Sequence, residues 1–86
     1  MRIFSHKAFL KAYSKLPTEK KAAVDEALML FSESRANSAL HDHMLNGKMK
    51  GLRSFSAGFD LRLIYREEGG FITITLLDVG THNQVY

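Results

Sequence analysis

The sequence contains no cysteine and no tryptophan, and only one proline among its 86 residues. Without cysteine there can be no disulfide, no thiolate nucleophile and no cysteine-ligated zinc or iron–sulfur site. No apolar run approaches the roughly 18–20 residues that span a bilayer. The first residues also lack the long apolar stretch of a signal peptide. These absences favour a protein of the reducing cytoplasm that does not bind a membrane.

The residues that are present fit one small globular domain over residues 1–86. Hydrophobic residues make up 45% of the chain and charged residues 24%, which is the balance of a chain that folds around a core. A chain of this size buries only roughly 60–65% of its unfolded surface. We therefore expect modest stability and no second core.

Positive charge is concentrated in one short stretch. The formal net charge of the chain is +3, but residues 67–86 carry only acidic charge, so the excess lies before them. Residues 48–66 hold five basic residues against one acidic residue: Lys48, Lys50, Arg53, Arg62 and Arg66 against Asp60. Such a focus attracts a polyanion such as RNA, although a solvated strand face is the commoner reason for a charge cluster.

The spacing of apolar residues divides the chain into a helical half and a strand half. Apolar residues from Phe9 to Leu16 recur at helical spacing and predict a helix over about residues 6–16, with Ser5 as its N-cap. Pro17 ends this helix, because proline cannot continue the hydrogen-bond ladder. A second stripe predicts a helix over residues 18–34, and residues 35–47 are predicted to be a loop.

Three strands are predicted after this loop, over about residues 49–56, 59–66 and 71–77. Gly69 and Gly70 suit a tight hairpin between the last two strands, and Gly80 is expected to end the third. In the middle strand, strict alternation predicts Phe59, Leu61, Leu63 and Tyr65 on one face and Asp60, Arg62, Ile64 and Arg66 on the other. Residues 1–4 are expected to add an edge strand. The predicted fold class is α+β, with two N-terminal helices on a three- to four-stranded antiparallel sheet.

Histidines near the ends of these elements are candidates for acid–base chemistry at neutral pH. His43 lies in the predicted loop, His82 follows the last strand, and Asp60 and Arg62 are neighbours on one strand face. Such a set suits RNA cleavage: one group removes the 2′-hydroxyl proton, another protonates the leaving 5′-oxygen, and a cation stabilises the phosphorane. The ordinary alternatives are exposed histidines and a surface ion pair worth about 0–1 kcal/mol.

A metal site is a competing interpretation of the same residues. His41, Asp42, His43 and His82 are all possible zinc ligands, but the chain lacks a helical HExxH pair. A serine hydrolase is disfavoured because there is no GxSxG elbow. We therefore expect no metal and no other cofactor.

Three motifs in the second half of the chain carry a family resemblance when they are taken in order. They are the runs His43–Ser54, Asp60–Tyr65 and Gly80–Tyr86. With the helical hairpin before them, they resemble the RelE-superfamily toxins of bacterial toxin–antitoxin systems, and the YafQ branch in particular. The resemblance implies a RelE-like microbial RNase fold and a ribosome-dependent endoribonuclease that cuts mRNA in the ribosomal A site. It also implies a cognate antitoxin that neutralises the toxin.

The resemblance further implies roles for individual residues. His82 matches the C-terminal histidine of the family and is the leading candidate for the general acid. His43 and Asp60 match residues that serve as base or position the 2′-hydroxyl, and Arg62 falls where RelE-type members keep a phosphate-binding arginine. The implied substrate-binding residues are Lys48, Lys50 and Arg53 along the RNA backbone and Tyr86 against a nucleotide.

Two positions depart from the YafQ pattern. Ser56 stands where that branch has a second histidine, and Leu61 stands where it has an aromatic residue. The charge of Arg62 is one possible compensation, and reduced activity or an altered codon preference is the alternative. Two other functions stay open: a ParE-like toxin that poisons DNA gyrase, and an inactive relative that only binds RNA.

Overall fold

Five strands form one mixed sheet in the computed structural model, which describes all 86 residues. In chain order the elements are β1 (Arg2–Ser5), α1 (Lys7–Ser14), α2 (Thr18–Glu33), β2 (His43–Met44), β3 (Arg53–Ala57), β4 (Leu61–Glu68), β5 (Thr73–Thr81) and α3 (His82–Val85). Two short 3-10 turns, Ser38–Leu40 and Gly47–Met49, flank β2. The α+β class is confirmed, and none of the helices combines the length and hydropathy needed to cross a membrane.

The helical hairpin forms where the sequence predicts it, with one difference at its start. Ser5 is the last residue of β1, so it is not the N-cap of α1. His6 takes that role, because its Nδ1 accepts a hydrogen bond from the amide of Ala8 at 3.0 Å. Pro17 adopts an extended conformation as the N-cap of α2, which separates the two helices as expected.

The sheet has more strands than predicted and is not purely antiparallel. Its order is β1-β5-β4-β3-β2, and β1 runs parallel to β5, with Arg2 opposite Thr73 and Ser5 opposite Leu76. The helical hairpin carries the chain between these parallel strands, as a parallel pair requires. β2 lies inside the predicted loop, where two residues are too few to show a periodicity.

The boundaries of the central strands also shift. The 3-10 turn Gly47–Met49 delays β3 until Arg53. Gly69 and Gly70 both have positive φ, 65° and 67°, so the hairpin forms at these glycines. Its loop is longer than predicted, because Glu68 pairs with Thr73 and Phe71 also has a positive φ of 70°. β5 continues through Gly80 to Thr81, so Gly80 does not end the strand. A Cβ built on Gly80 would lie 2.9 Å from Gln84 and 3.1 Å from Val85, and glycine is needed because α3 passes this close.

The hydrophobic core lies between one face of the sheet and the helices α1 and α2. The rings of Phe31 in α2 and Phe55 in β3 stack with centroids 4.5 Å apart. Leu61, Leu63 and Tyr65 are buried in this core as the alternation predicts. Phe59 is 99% exposed instead, because it lies in the turn before β4 and not in the strand.

The opposite face of the sheet, called the second face below, holds the polar residues of the central strands. Ser54 and Ser56 alternate with the core residue Phe55 along β3, and Arg62 and Ile64 alternate with core residues along β4. Ile64 is nevertheless buried. The second face is therefore partly covered, and the covering element is the short C-terminal helix α3.

Candidate functional site

The register of the sheet gathers four polar side chains on the second face. His43 of β2 pairs with Ser54 of β3, and Ser56 of β3 pairs with Arg62 of β4. Directly paired residues project from the same face of a sheet, with Cβ atoms about 4.5–5.5 Å apart. Arg62 also pairs with Gly80 of β5, over which α3 packs closely, and its guanidinium donates a hydrogen bond to the carbonyl oxygen of Leu61 at 3.0 Å.

The helix α3 brings His82 and Tyr86 back towards this face. The amide of Thr81 donates a hydrogen bond to Gln84 Oε1 at 2.8 Å, which closes the turn. The hydroxyl of Tyr86 then donates to Ser54 Oγ at 2.6 Å. The rings of His82 and Tyr86 meet edge to face, with centroids 4.6 Å apart. His82 is thus held beside the strands that carry Ser54 and Arg62.

Asp60 and His82 lie at the same end of the sheet. Leu61 pairs with Thr81, so Asp60, just before Leu61, and His82, just after Thr81, lie immediately beyond that pair. The Asp60 carboxylate accepts a hydrogen bond from Lys20 Nζ of α2 at 2.7 Å, and this bond holds the pKa of Asp60 below its ordinary value. Asp60 is therefore ionised at neutral pH and engaged with α2.

His43 carries its proton on a defined ring nitrogen. Its Nδ1 lies 2.8 Å from the carbonyl oxygen of His41. A carbonyl can only accept, so Nδ1 is the donor, and the neutral ring keeps the lone pair of Nε2 free. His41 has a left-handed φ of 49° where the 3-10 turn ends. Because His43 is exposed, its Nε2 is able to accept a proton from a ligand.

Asp42, next to His43, is the centre of a buried network on the core side. Its carboxylate accepts hydrogen bonds from Arg35 at 3.0 Å, from Arg53 at 3.3 Å and from the Tyr65 hydroxyl at 2.6 Å. The Asp42 side chain is only 6% exposed. Burial and this carboxylate both raise the pKa of Tyr65. Asp42 therefore anchors the start of β2 and, through it, the position of His43.

Two of the sequence expectations concern residues of this network. The carboxylate that the zinc interpretation needs is occupied by two arginines, and no group of three or more His, Asp or Glu side chains gathers elsewhere. Arg53 pairs with Tyr65 in the β3–β4 ladder, so its side chain lies on the core side. The structure does not bring Arg53 together with the residues of the second face.

Of the two predicted lysines, one lies next to the C-terminal aromatic residue. A cleft of about 300 Å³ is lined by Leu45, Asn46, Lys48, Met49 and Tyr86. Lys50 is exposed on the far side of the same turn and borders a separate cleft of about 350 Å³ that reaches Glu67. Lys48 is thus the lysine closer to the second face.

Two features of this site, the contacts of Ser54 and of Lys20, were missed by sequence reasoning. Ser54 is buried with its hydroxyl bound to Tyr86, but a serine in a strand gives no local signal of such a role. Lys20 reaches Asp60 from 40 residues away. Leu61, at the position of the family aromatic, is 2% exposed and packs in the core as the alternation predicts, so it presents no surface to a ligand.

The assembled groups are suited to proton transfer at a phosphodiester. His43 offers a free ring nitrogen, His82 offers a second imidazole, and Arg62 offers a cation on the same face of the sheet as His43. A base, an acid and a cation on one exposed surface can drive attack by a neighbouring hydroxyl on phosphorus without a metal. Such a site needs a substrate that contains its own nucleophile.

Comparison with known proteins places the whole chain in one group. The profile of the family described as bacterial toxin of type II toxin–antitoxin system, YafQ, matches residues 1–86. A comparison with curated protein sequences gives no match.

Solved structures show the same fold. YafQ from E. coli strain BL21(DE3) superposes with a TM-score of 0.82 at 19% identity, covering 100% of this chain and 99% of that one. A copper-bound mutant toxin from Helicobacter pylori gives 0.80 at 22% identity, with coverage of 100% and 99%. The E. coli DinJ–YafQ toxin–antitoxin complex gives 0.75 at 21% identity, with coverage of 98% and 94%.

Proposed function

This chain belongs to the YafQ family of toxins from bacterial type II toxin–antitoxin systems, and from that premise we propose that it is a ribosome-dependent mRNA endoribonuclease. The observation that carries this proposal is the register that sets His43 and Arg62 on one face of the sheet, beside the turn that bears His82. A base, a cation and an acid are the groups that metal-free RNA cleavage requires.

In the proposed reaction the RNA supplies the nucleophile. A base takes the proton of the 2′-hydroxyl, whose oxygen attacks the adjacent phosphorus. The bond from phosphorus to the 5′-oxygen of the next nucleotide breaks, and His82 gives that oxygen its proton. The products are a 2′,3′-cyclic phosphate, or a 3′-phosphate after hydrolysis, and a 5′-hydroxyl. No metal or other cofactor takes part in these steps.

His43 is the better candidate for the base, and Asp60 is the second. The hydrogen bond from His43 Nδ1 to the His41 carbonyl leaves Nε2 free to accept the proton. Asp60 is ionised, but the hydrogen bond from Lys20 lowers its pKa. A carboxylate with a lowered pKa is a weaker base at neutral pH than an imidazole.

The cations of the site bind and stabilise the phosphate groups. We assign the stabilisation of the negative charge on the phosphorane to Arg62. This residue lies on β4, between Ser56 of β3 and Gly80 of β5. Lys48 and Lys50 are exposed and suit the RNA backbone on either side of the break, which makes binding dependent on salt. Arg53 is bound to Asp42 and Tyr65, so we assign it to the scaffold that supports His43.

Dependence on the ribosome is consistent with the openness of the site. His43 is exposed, and the cleft beside Tyr86 holds only about 300 Å³, so the protein encloses little of a nucleotide. In-line attack needs the 2′-oxygen, the phosphorus and the leaving oxygen to be aligned. The ribosomal A site, in the cytoplasm, would present the mRNA in that geometry.

A cognate antitoxin is the second proposed partner. A YafQ toxin of E. coli forms a complex with DinJ, and this chain shares the fold. The net charge of +3 suits an acidic protein that covers the basic stretch and keeps mRNA away from the second face.

The test of this function uses purified protein, ribosomes programmed with a defined mRNA, and primer extension to map the breaks. Breaks at A-site codons are expected, with free RNA in EDTA cut much more slowly. Uncut mRNA, from protein that still arrests growth and induces a DNA-damage response, would instead favour a gyrase poison of the ParE type. Uncut mRNA with normal growth would indicate an inactive relative.

A further inference from the structure

Ser54 is the only polar residue among the 17 buried residues of the chain, and its side chain is fully enclosed. A buried hydroxyl costs free energy unless it forms a hydrogen bond. Its partner is the Tyr86 hydroxyl, which donates to Ser54 Oγ at 2.6 Å. The bond joins the middle of β3 to a residue 32 positions later in the chain.

The same bond determines the surroundings of His82. The helix α3 has only four residues, and so short a helix is not stable without tertiary contacts. Tyr86 is 44% exposed, so packing alone leaves its ring free to move. The hydrogen bond to Ser54 fixes the ring, and the edge of that ring lies against His82, with centroids 4.6 Å apart.

We propose that Ser54 is a positioning residue for the two histidines of the site. It anchors Tyr86, and through that ring it holds His82 over the second face. Ser54 is also the direct cross-strand neighbour of His43. This one buried serine therefore helps to fix the positions of both imidazole rings. The Tyr86 hydroxyl accordingly serves the fold of the site and does not bind a nucleotide.

This inference rests on the proposed function only for its kinetic consequence, and two variants test it from opposite ends. Ser54→Ala removes the acceptor, and Tyr86→Phe removes the donor but keeps the ring. Tyr86→Phe leaves a buried hydroxyl without a partner and is expected to lower the Tm more. The double variant replaces both polar groups and is expected to regain much of that Tm.

Activity is expected to follow a different pattern from stability. Both single variants should lower kcat on ribosome-bound mRNA by about tenfold, with KM unchanged, because a displaced acid slows only the chemical step. The double variant should stay as slow as the single ones although its Tm recovers. The matched control is Tyr13→Phe, which removes the exposed Tyr13–Asp25 hydrogen bond and should leave kcat unchanged.

Two kinetic results would overturn the proposal. One is a wild-type kcat in Ser54→Ala, and the other is a double variant that recovers kcat together with Tm. Either result would show that the hydrogen bond serves stability alone.

A spectroscopic measurement separates this proposal from the proposed function. In the wild-type protein the Tyr86 ring current should shift the ring protons of His82 in the NMR spectrum, and both single variants should reduce that shift. An unchanged shift would overturn the positioning role. If the wild-type protein did not cut mRNA, the proposed function would fail while the NMR comparison still decided the role of Ser54.

Discussion

The hydroxyl of Tyr65 donates a hydrogen bond to Asp42 at 2.6 Å from within the core, so the residue before His43 is fixed by a strand two positions away in the sheet. Arg35 and Arg53 hold the same carboxylate. The short strand β2, which has only two residues, gains its fixed position from this network. Two variants measure how much the network contributes.

Tyr65→Phe should lower the free energy of unfolding by about 1.5–3 kcal/mol, the usual contribution of a hydrogen bond to a charged group. Asp42→Ala should cost more, about 3–5 kcal/mol, because it leaves two partly buried guanidinium groups without their partner. Urea denaturation followed by circular dichroism measures both values. Equal losses in the two variants would contradict a network centred on Asp42.

His82→Ala should lower cleavage of ribosome-bound mRNA by about a hundredfold or more, which is the usual effect of losing a general acid. The matched control is His6→Asn, which keeps an N-cap for α1 and lies outside the site. Single-turnover cleavage gives both rates. A near-normal rate in His82→Ala would exclude its role as the acid.

The identity of the base can be decided from the pH dependence of cleavage. The base must be unprotonated to accept the proton of the 2′-hydroxyl, so the rate should fall on the acidic side of the profile, and a variant without the base should lose this acidic limb. The pKa of Asp60 is held below its ordinary 3.8, so Asp60→Asn should leave this acidic limb in place. His43→Gln should abolish it. A limb that persists in His43→Gln and disappears in Asp60→Asn would assign the base to Asp60.

The Lys20–Asp60 ion pair should also make stability depend on pH. The folded pKa of Asp60 lies below its unfolded value, so the pair stabilises the fold above the unfolded pKa. That contribution is lost as the pH falls through the folded pKa. Both side chains are partly exposed, so we expect a loss of less than about 1 kcal/mol in Asp60→Asn at pH 7. Lys20→Gln should match it, and the Tm of both variants should approach the wild-type value in strong acid.

Phe55 and Phe59 test where β3 ends and the turn begins. Phe59 is 99% exposed, so Phe59→Ser should leave the Tm unchanged. Phe55 is fully buried against Phe31, so Phe55→Ala should cost about 3–5 kcal/mol. Thermal unfolding of the two variants is the measurement. A large loss in Phe59→Ser would restore the sequence expectation that this ring packs in the core.

The structural features that the sequence predicted well are those set by residues close together in the chain. Alternation along β4 correctly assigned Leu61, Leu63 and Tyr65 to the core, and Pro17 and the Gly69–Gly70 pair marked the ends of elements. The family motifs also single out His43 and His82, whose roles in cleavage stay predictions. These signals depend on residues only a few positions apart.

The structural features that the sequence did not predict depend on contacts between residues far apart in the chain. The parallel pairing of β1 with β5 joins the two ends of the chain, and no local pattern predicts it. The hydrogen bond from Tyr86 to Ser54 and the one from Lys20 to Asp60 are likewise long-range. Phe59 was misplaced because alternation cannot show where a strand gives way to a turn.

The pairing of β1 with β5 also sets the order in which the molecule can be completed. β1 precedes every other strand in the chain, but its only neighbour in the sheet is β5, and His82 and Tyr86 come after β5. Until β5 joins the sheet, β1 has no strand to pair with, and α3 has no strand from which to fold back over the second face. The pairing of Arg2 with Thr73 is a contact of high sequence separation, and such contacts are slow to form because the loop they close costs entropy. The surface that carries His82 is therefore completed in the slow part of folding.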